Sequence, residues 1–175
     1  MTPSARKSGN AAASNGANRL RIIGGRWRGS KLNFPNIDAI RPTPDRVRET
    51  LFNWLQTDIS NARCLDLYAG SGALGLEALS RGASAVTFVD REPAIGKYLR
   101  DTLQRLDGNG GNVITMDSSH YLTQTPTLFD VVFLDPPFAA ATKQQLLSNL
   151  FAQLENGWLA PHAWIYIECP SDMGS

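Results

Sequence analysis

Apolar and polar positions along the chain follow two alternating patterns. Short, nearly continuous apolar runs are typical of strands buried on both faces, and apolar residues between them recur at the spacing of helices packed on one side. Strands that alternate with helices predict an α/β fold with right-handed crossovers: a doubly wound, mostly parallel sheet of strand order 3-2-1-4-5. The predicted strands are residues 64–66, 85–89, 112–116, 131–134 and 164–169.

Helical spacing predicts four helices. In the first, Thr43 is the expected N-cap and Pro44 the first helical residue, and the helix runs to about Gln56. Its expected core stripe is Val47, Leu51 and Leu55, and its expected polar face holds Arg46, Arg48 and Glu49. The second helix is residues 73–81 and is ended by Gly82. The third is opened by Pro93 and has Ile95, Leu99 and Leu103 on one face. The fourth begins at a Thr142–Gln145 capping box, has an apolar stripe of Leu146, Leu150 and Leu154, and ends at Gly157.

A rigid corner follows the fourth strand. Asp135-Pro136-Pro137-Phe138 comes directly after the apolar run 131–134, and two successive prolines must end that strand because neither can donate to the ladder. The Asp135 carboxylate and the Pro136 carbonyl are two acceptors that fit the two N–H groups of a planar exocyclic amine, and Phe138 is placed to stack on the base. The alternative interpretation is a proline-rich turn without chemistry.

A glycine-rich turn follows the first core strand. Gly70, Gly72 and Gly75 match the G-x-G-x-x-G pattern of dinucleotide-binding folds, so a nicotinamide or flavin enzyme has to be considered. Asp66 argues against that alternative, because a carboxylate just before the turn opposes a pyrophosphate. It suits the ammonium of an amino-acid moiety or a nearby sulfonium, and S-adenosylmethionine contains both cations.

Further acids end the neighbouring strands. Asp90 follows the second run at the approximate spacing of an acid that holds ribose hydroxyls, and Asp117 follows the third run, where it could accept from an adenine amine. Any one of these is more often a solvated strand terminus. Together with Asp66 and Asp135, they place a carboxylate at the end of each of four strands and predict a cofactor site along that edge.

Composition limits the class of protein. The chain has 175 residues, the usual size of one domain, and two cysteines, Cys64 and Cys169, whose places in predicted core strands indicate reduced thiols and a cytoplasmic location. The two histidines, His120 and His162, are far apart, so no metal site is expected. No apolar stretch approaches the roughly 20 residues of a membrane span. Residues 1–18, rich in Ser, Asn, Ala and Gly, are predicted to be a disordered tail.

Basic residues are concentrated near the N-terminus. The net charge is +1, but residues 1–48 hold ten Lys and Arg against two acids, whereas residues 49–175 hold seven against fourteen. Such asymmetry indicates a nucleic-acid-binding extension. Trp27 is expected either to stack on an unpaired base or to anchor that extension. The candidate RNA-binding residues are Arg21, Arg26, Trp27, Arg28, Lys31 and Arg41.

Longer strings of residues resemble a known family. The aspartates and glycines above, with the Asp135-Pro136-Pro137-Phe138 corner, are similar to class I S-adenosylmethionine-dependent methyltransferases. More narrowly, the strings Arg21-Ile22-Ile23-Gly24-Gly25-x-Trp27-Arg28-Gly29 and Arg41-Pro42-Thr43-x-Asp45-Arg46-Val47-Arg48-Glu49-Thr50-Leu51-Phe52-Asn53-Trp54-Leu55 resemble the bacterial RsmD family, which methylates the N2 amine of a guanine in 16S ribosomal RNA. The resemblance covers roughly residues 20–170.

The resemblance implies a Rossmann-like methyltransferase domain over residues 43–175 after an RNA-binding extension over residues 19–42. It implies 16S ribosomal RNA or the assembling small subunit as partner and S-adenosylmethionine as cofactor. Nothing in the sequence demands more than a monomer. The implied catalytic residues are Asp135, Pro136, Pro137 and Phe138, and the implied cofactor-binding residues are Asp66, Gly70, Ser71, Gly72, Asp90, Asp117 and Ser118. Because the family's sheet normally finishes with a further β-hairpin, we expect a C-terminal truncation that leaves the outer edge of the strand 164–169 unpaired and prone to self-association.

Three alternatives stay open at this point. N6 methylation of adenine in DNA or RNA uses the same amine chemistry, and only the N-terminal strings separate it from guanine methylation. A dinucleotide-dependent oxidoreductase would use the glycines instead. A binding-only remnant would keep cofactor or RNA binding without turnover.

Overall fold

The computed structural model of the chain describes residues 18–37, 40–137 and 140–168, with the backbone alone at residues 140 and 141. Residues 1–17 of the predicted tail, the catalytic candidate Phe138 and the cysteine Cys169 lie outside this range. The strands are β1 (Arg19–Arg21), β2 (Lys31–Asn33), β3 (Arg63–Asp66), β4 (Ala85–Asp90), β5 (Gly111–Thr115), β6 (Phe129–Leu134) and β7 (Leu159–Ile167). The helices are α1 (Asp45–Trp54), α2 (Ala73–Ser80), α3 (Pro93–Arg105), α4 (Ser118–Tyr121) and α5 (Ala140–Leu154).

The central sheet consists of five parallel strands in the order β5-β4-β3-β6-β7. Numbered within this sheet, that is the order 3-2-1-4-5, so the predicted fold class is confirmed. The direction of winding reverses between β3 and β6, which is where doubly wound sheets open a ligand crevice. Because all five strands run the same way, their carboxyl ends meet at one edge.

Helices cover both faces of this sheet. On one face, α1, α2 and α3 pack together with the antiparallel β1–β2 hairpin over a core that includes Phe52 and Phe88. On the other face, α4 and α5 pack over a second core, in which the Trp158 ring lies 5.0 Å from the Tyr121 ring and 6.3 Å from the Phe129 ring, centroid to centroid. No helix in the described ranges is long and apolar enough to span a bilayer.

The buried face of the first helix includes Leu51 and Leu55, as predicted, but differs from the prediction at Val47 and Arg48. Val47 was expected in the core stripe but is 41% exposed, whereas Arg48, expected on the polar face, is 1% exposed. Phe52 also enters the core, so the buried face is turned toward Arg48. The physical reason is that the Arg48 guanidinium finds acceptors inside the protein, among them the Thr43 carbonyl at 3.1 Å.

Two predicted helix caps are wrong. Pro44 precedes α1 as its N-cap without a side-chain hydrogen bond, and the Thr43 hydroxyl donates instead to Glu168 Oε2 at 3.1 Å. α5 begins two residues before Thr142, so Thr142 and Gln145 lie inside the helix and cannot form a capping box. At Thr43 a local cap signal gave way to a tertiary contact.

The last strand, β7, begins five residues earlier than predicted and lies at one edge of the sheet. Its register with β6 shifts between Phe129 and Val131, and His162 within it has a φ of 63°. Pro161 is tolerated because an edge strand has one side without ladder partners. Because of the proline and the irregular register, the first half of β7 lacks a continuous apolar run and was not predicted as a strand.

Candidate cofactor and amine site

Carboxylates lie at the end of every strand of the central sheet. Asp66 and Asp90 are the last residues of β3 and β4, and Asp117, Asp135 and Glu168 follow β5, β6 and β7. All five line one cavity of about 510 Å³. Four of these acids are predicted from the sequence. Glu168 is not among them, because the predicted strand 164–169 contains it, whereas β7 ends at Ile167 and Glu168 follows it.

Most of the predicted site residues reach this cavity. The lining includes Asp66, Gly70, Ser71, Asp90, Asp117, Ser118, Asp135 and Pro137. Gly72 and Pro136 do not line it; a side chain at Gly72 would meet Leu99 Cδ2 at 2.7 Å, so this glycine faces the core. Among the described residues, no group of three or more His, Cys, Asp or Glu side chains is arranged to hold a metal ion.

Asp66 is buried at the start of α2. Its Oδ2 accepts from the Gly75 backbone N–H at 3.0 Å, in the first turn of that helix. Burial raises the pKa of Asp66 to about 8, and the nearby charges of Asp135 and Asp90 act in the same direction. The carboxyl group therefore keeps its proton at neutral pH until a cation reaches it, and it occupies the helix N-terminus that a pyrophosphate would need.

Asp90 is held in place by two backbone donors. The Gly70 N–H donates to Oδ2 at 3.0 Å and the Glu92 N–H donates to Oδ1 at 2.9 Å. Gly70 has a φ of 52°, in the left-handed region that favours glycine, and this turn brings its N–H to the carboxylate. Asp90 thus ties the glycine-rich turn to β4 and stands at a fixed position on the cavity wall.

Asp117 and Ser118 shape the far end of the cavity. Asp117 caps α4, accepting from the N–H groups of Ser119 and His120 at 3.0 and 3.2 Å. The Ser118 hydroxyl donates to the Leu67 carbonyl at 2.5 Å. Both predicted residues therefore have hydrogen-bond partners within the protein. Asp117 is the N-cap that stabilises α4, a short helix not predicted from the sequence.

The Asp135 corner includes a charged neighbour that the Asp-Pro-Pro-Phe motif does not contain. β6 ends at Leu134, and the following half-buried carboxylate has a neighbour from α5: Lys143 Nζ lies 3.7 Å from Asp135 Oδ1. Burial and the negative charge of Glu168 raise the pKa of Asp135 to about 7, and the Lys143 ammonium opposes them. Lys143 was not among the residues predicted from the sequence, because it lies in a helix otherwise identified by its leucines.

The basic extension is attached to the body of the protein through buried contacts. Glu77, 0% exposed on α2, accepts from the N–H groups of Ile23 and Gly24 at 3.0 and 2.8 Å and from Arg81 Nε at 2.9 Å. Arg48 joins this cluster and donates to the Arg21 carbonyl at 3.0 Å. The extension is therefore a fixed surface relative to the cavity.

Exposed cations lie along this surface. Arg21, Arg26, Arg28 and Lys31 are exposed on the hairpin, and Arg41 lines the cavity. Trp27 is 8% exposed, and the Arg26 guanidinium lies 4.5 Å from the centre of its ring. Of the two roles considered for Trp27, its burial favours that of an anchor over that of a base-stacking residue.

Known proteins share this architecture and sequence. The family model described as Conserved hypothetical protein 95 matches residues 20–175. The chain is 45% identical over 159 residues to ribosomal RNA small subunit methyltransferase D of Escherichia coli strain K12, covering 91% of this chain and 79% of that protein. It is 46% identical over 162 residues to the Haemophilus influenzae protein of the same name, covering 90% and 82%. The solved structure of yhhF from Escherichia coli, provisionally assigned as a methyltransferase, matches with a TM-score of 0.81 at 44% identity, over 90% of this chain and 84% of that one. The chain therefore belongs to the Conserved hypothetical protein 95 family, the RsmD family that its motifs resemble.

Proposed function

We propose that this protein is a ribosomal RNA methyltransferase that uses S-adenosylmethionine to methylate the N2 amine of a guanine in 16S ribosomal RNA. The observation that carries the proposal is the acid-lined cavity in which Asp66 and Asp90, on β3 and β4, face the Asp135 corner after β6. Family membership supports the methyltransferase class over a dinucleotide-dependent oxidoreductase.

The cavity suits a cationic nucleoside. Asp66 is a buried carboxyl group without a cation of its own in the described contacts, which is appropriate for an ammonium that enters with the ligand. Asp90 lines the cavity and is the proposed acceptor for ribose hydroxyls, and Ile40, Leu74 and Ile95 are apolar lining residues against which a flat base could pack. When bound, S-adenosylmethionine supplies an electrophilic methyl group next to the Asp135 corner.

We propose two acceptors for the amine half of the site: Asp135 on the cavity wall, and the carbonyl of Pro136, which follows it in the chain but does not itself line the cavity. The Asp135 carboxylate and the Pro136 carbonyl accept the two amine N–H bonds, which favours a pyramidal nitrogen and stabilises the positive charge that develops on it. Only the ionised form of Asp135 can do this with full strength. Phe138, which lies outside the described residues, is the proposed stacking partner of the base.

The RNA approaches over the basic extension. Arg21, Arg28 and Lys31 bind phosphates, and Arg41, where the extension meets the cavity, is placed to guide the nucleotide inward. The target base must be unpaired or extruded, because an amine inside a duplex cannot reach an acceptor pair at the end of a buried strand.

Methyl transfer from labelled S-adenosylmethionine to undermethylated small-subunit ribosomal RNA tests this proposal. We expect transfer by the wild-type protein and a loss of about two to three powers of ten in turnover for Asp135→Ala, the scale of losing one preorganised polar group. Asp130→Ala, at the opposite end of the same strand and outside the cavity, is the matched control. Equal turnover in the wild type and Asp135→Ala would overturn the assignment of the corner.

A further inference from the structure

The side chain of Asp135, at the end of β6, has as its neighbour the carboxylate of Glu168, at the end of the adjacent strand β7. Leu134 on β6 pairs with Ile167 on β7, and the Glu168 N–H donates to the Leu134 carbonyl at 3.3 Å. Asp135 and Glu168 thus leave adjacent strand ends side by side, and both line the same cavity. Two carboxylates placed in this way disfavour each other's ionisation.

Two more groups complete this cluster, each from a different element. Lys143 on α5 is 4% exposed, and its Nζ lies 3.7 Å from Asp135 Oδ1, so a nearly buried ammonium faces the carboxylate. The Thr43 hydroxyl, from the segment before α1, donates to Glu168 Oε2 at 3.1 Å and fixes that side chain. A buried lysine without a counter-charge would be costly, so Lys143 and Asp135 hold each other in position.

We propose that Glu168 and Lys143 are positioning residues that act through Asp135 in opposite directions, Glu168 opposing and Lys143 supporting the charge on the carboxylate that accepts from the target amine. The role in methyl transfer rests on the proposed function, whereas the electrostatic relation among the three side chains does not. Burial and Glu168 raise the pKa of Asp135 to about 7, and Lys143 limits the rise. Asp135 therefore changes charge within the range in which a cell operates.

Asp135 is placed to accept the proton that the target amine loses during methyl transfer. As the amine nitrogen forms its bond to the methyl carbon, the carbon–sulfur bond breaks, the sulfur keeps that electron pair, and the nitrogen must lose one proton. Ionised Asp135 is in place to accept it, and a carboxyl group with a pKa near neutrality returns it to water before the next turnover. A carboxylate of ordinary pKa would be a weaker acceptor.

Other charged groups around Asp135 also influence its ionisation, and their effect is the same in every variant below. Asp66, at the end of β3, and Asp135 influence each other electrostatically. The remaining charged side chains of the cavity wall are Arg41, Asp90, Arg91, Glu92 and Asp117. All of them are retained in the variants below, so a difference between variants reports on Glu168 or Lys143 alone.

The test is a carboxyl ¹³C NMR titration of Asp135 in the cofactor-free protein. We expect a wild-type midpoint near pH 7, a midpoint about one unit lower in Glu168→Gln, and a midpoint about one unit higher in Lys143→Met. Lys143→Arg, which keeps the charge, should stay near the wild type and covers the case in which Lys143→Met does not fold. Glu155→Gln, on an exposed residue just after α5, is the matched control.

The pH profile of kcat/KM for methyl transfer should move with these midpoints. Midpoints that do not move, or that move in the same direction in Glu168→Gln and Lys143→Met, would overturn the inference. Shifted midpoints in a protein that methylates no ribosomal RNA would leave the cluster intact and refute the proposed function instead.

Discussion

Arg48 Nη1 lies 3.4 Å from Glu77 Oε2, in an ion pair whose side chains are 1% and 0% exposed. The same carboxylate accepts from the backbone of the basic extension, and the same guanidinium donates to the Thr43 carbonyl next to the cavity. One buried pair therefore fixes α1, α2 and the extension relative to each other.

The stability of the fold should depend on this pair. Glu77→Ala removes the buried counter-charge of Arg48, which keeps only its ion pair with the exposed Asp45. It also removes the acceptor of two backbone N–H groups, so we expect a loss of about 3–5 kcal/mol in the free energy of unfolding. Chemical denaturation measures it, with Glu49→Ala, an exposed glutamate on α1, as the control. A loss below about 1 kcal/mol would show that the pair is dispensable.

The pH dependence of stability should report Asp66. Its pKa is about 8 in the folded protein against an ordinary value of 3.8, so the folded state binds more protons than the unfolded state between these values. The contribution of Asp66 to the free energy of unfolding is therefore fully present below about pH 4 and is lost as pH rises through about 8.

Asp66→Asn should remove the loss of stability that Asp66 causes as pH rises. The amide oxygen still accepts from the Gly75 N–H, and each ~1 kcal/mol recovered at pH 8 raises the melting temperature by about 2–4 °C. Thermal melts from pH 5 to about 9 test this, with Asp107→Asn, an exposed turn residue with a φ of 55°, as the control. A steeper pH dependence in Asp66→Asn than in the wild type would contradict the assignment.

Cofactor binding should release a proton from the same group. An ammonium placed beside Asp66 favours its ionised form, so binding of S-adenosylhomocysteine at pH 7 should release up to about one proton. Titration calorimetry in buffers of different ionisation enthalpy counts it, and Asp66→Asn should release none and bind more weakly. Proton uptake by the wild type would refute this role for Asp66.

The central strands and four acids were predictable from the sequence, because buried parallel strands are apolar throughout and an acid after such a run stands out. The burial of Arg48 could not be predicted, because its buried counter-charge, Glu77, is 29 positions away, and its nearby partner Asp45 is exposed. Lys143 was hidden for the same reason: its partner Asp135 lies on another element. Glu168 does not stand out as an acid after a strand, because the apolar pattern continues to Cys169 while β7 ends at Ile167.

RNA binding should weaken steeply with salt through the basic extension. Replacing Arg28 and Lys31 by Gln should reduce the log–log salt slope by about 0.7 for each phosphate that the variant no longer neutralises, and should leave cofactor affinity unchanged. Lys97→Gln with Arg105→Gln, two exposed cations on α3, removes the same charge elsewhere. Equal slopes for the two double variants would mean that net charge, and not the extension, determines binding.

Nucleoside mass spectrometry tests the central claim most directly. Undermethylated 16S ribosomal RNA or small subunits are incubated with the protein and S-adenosylmethionine, digested to nucleosides, and compared with a reaction containing Asp135→Ala. We expect new N2-methylguanosine in the wild-type reaction and little or none with the variant. N6-methyladenosine in its place, or no new methylated nucleoside from a protein that binds the cofactor, would contradict it.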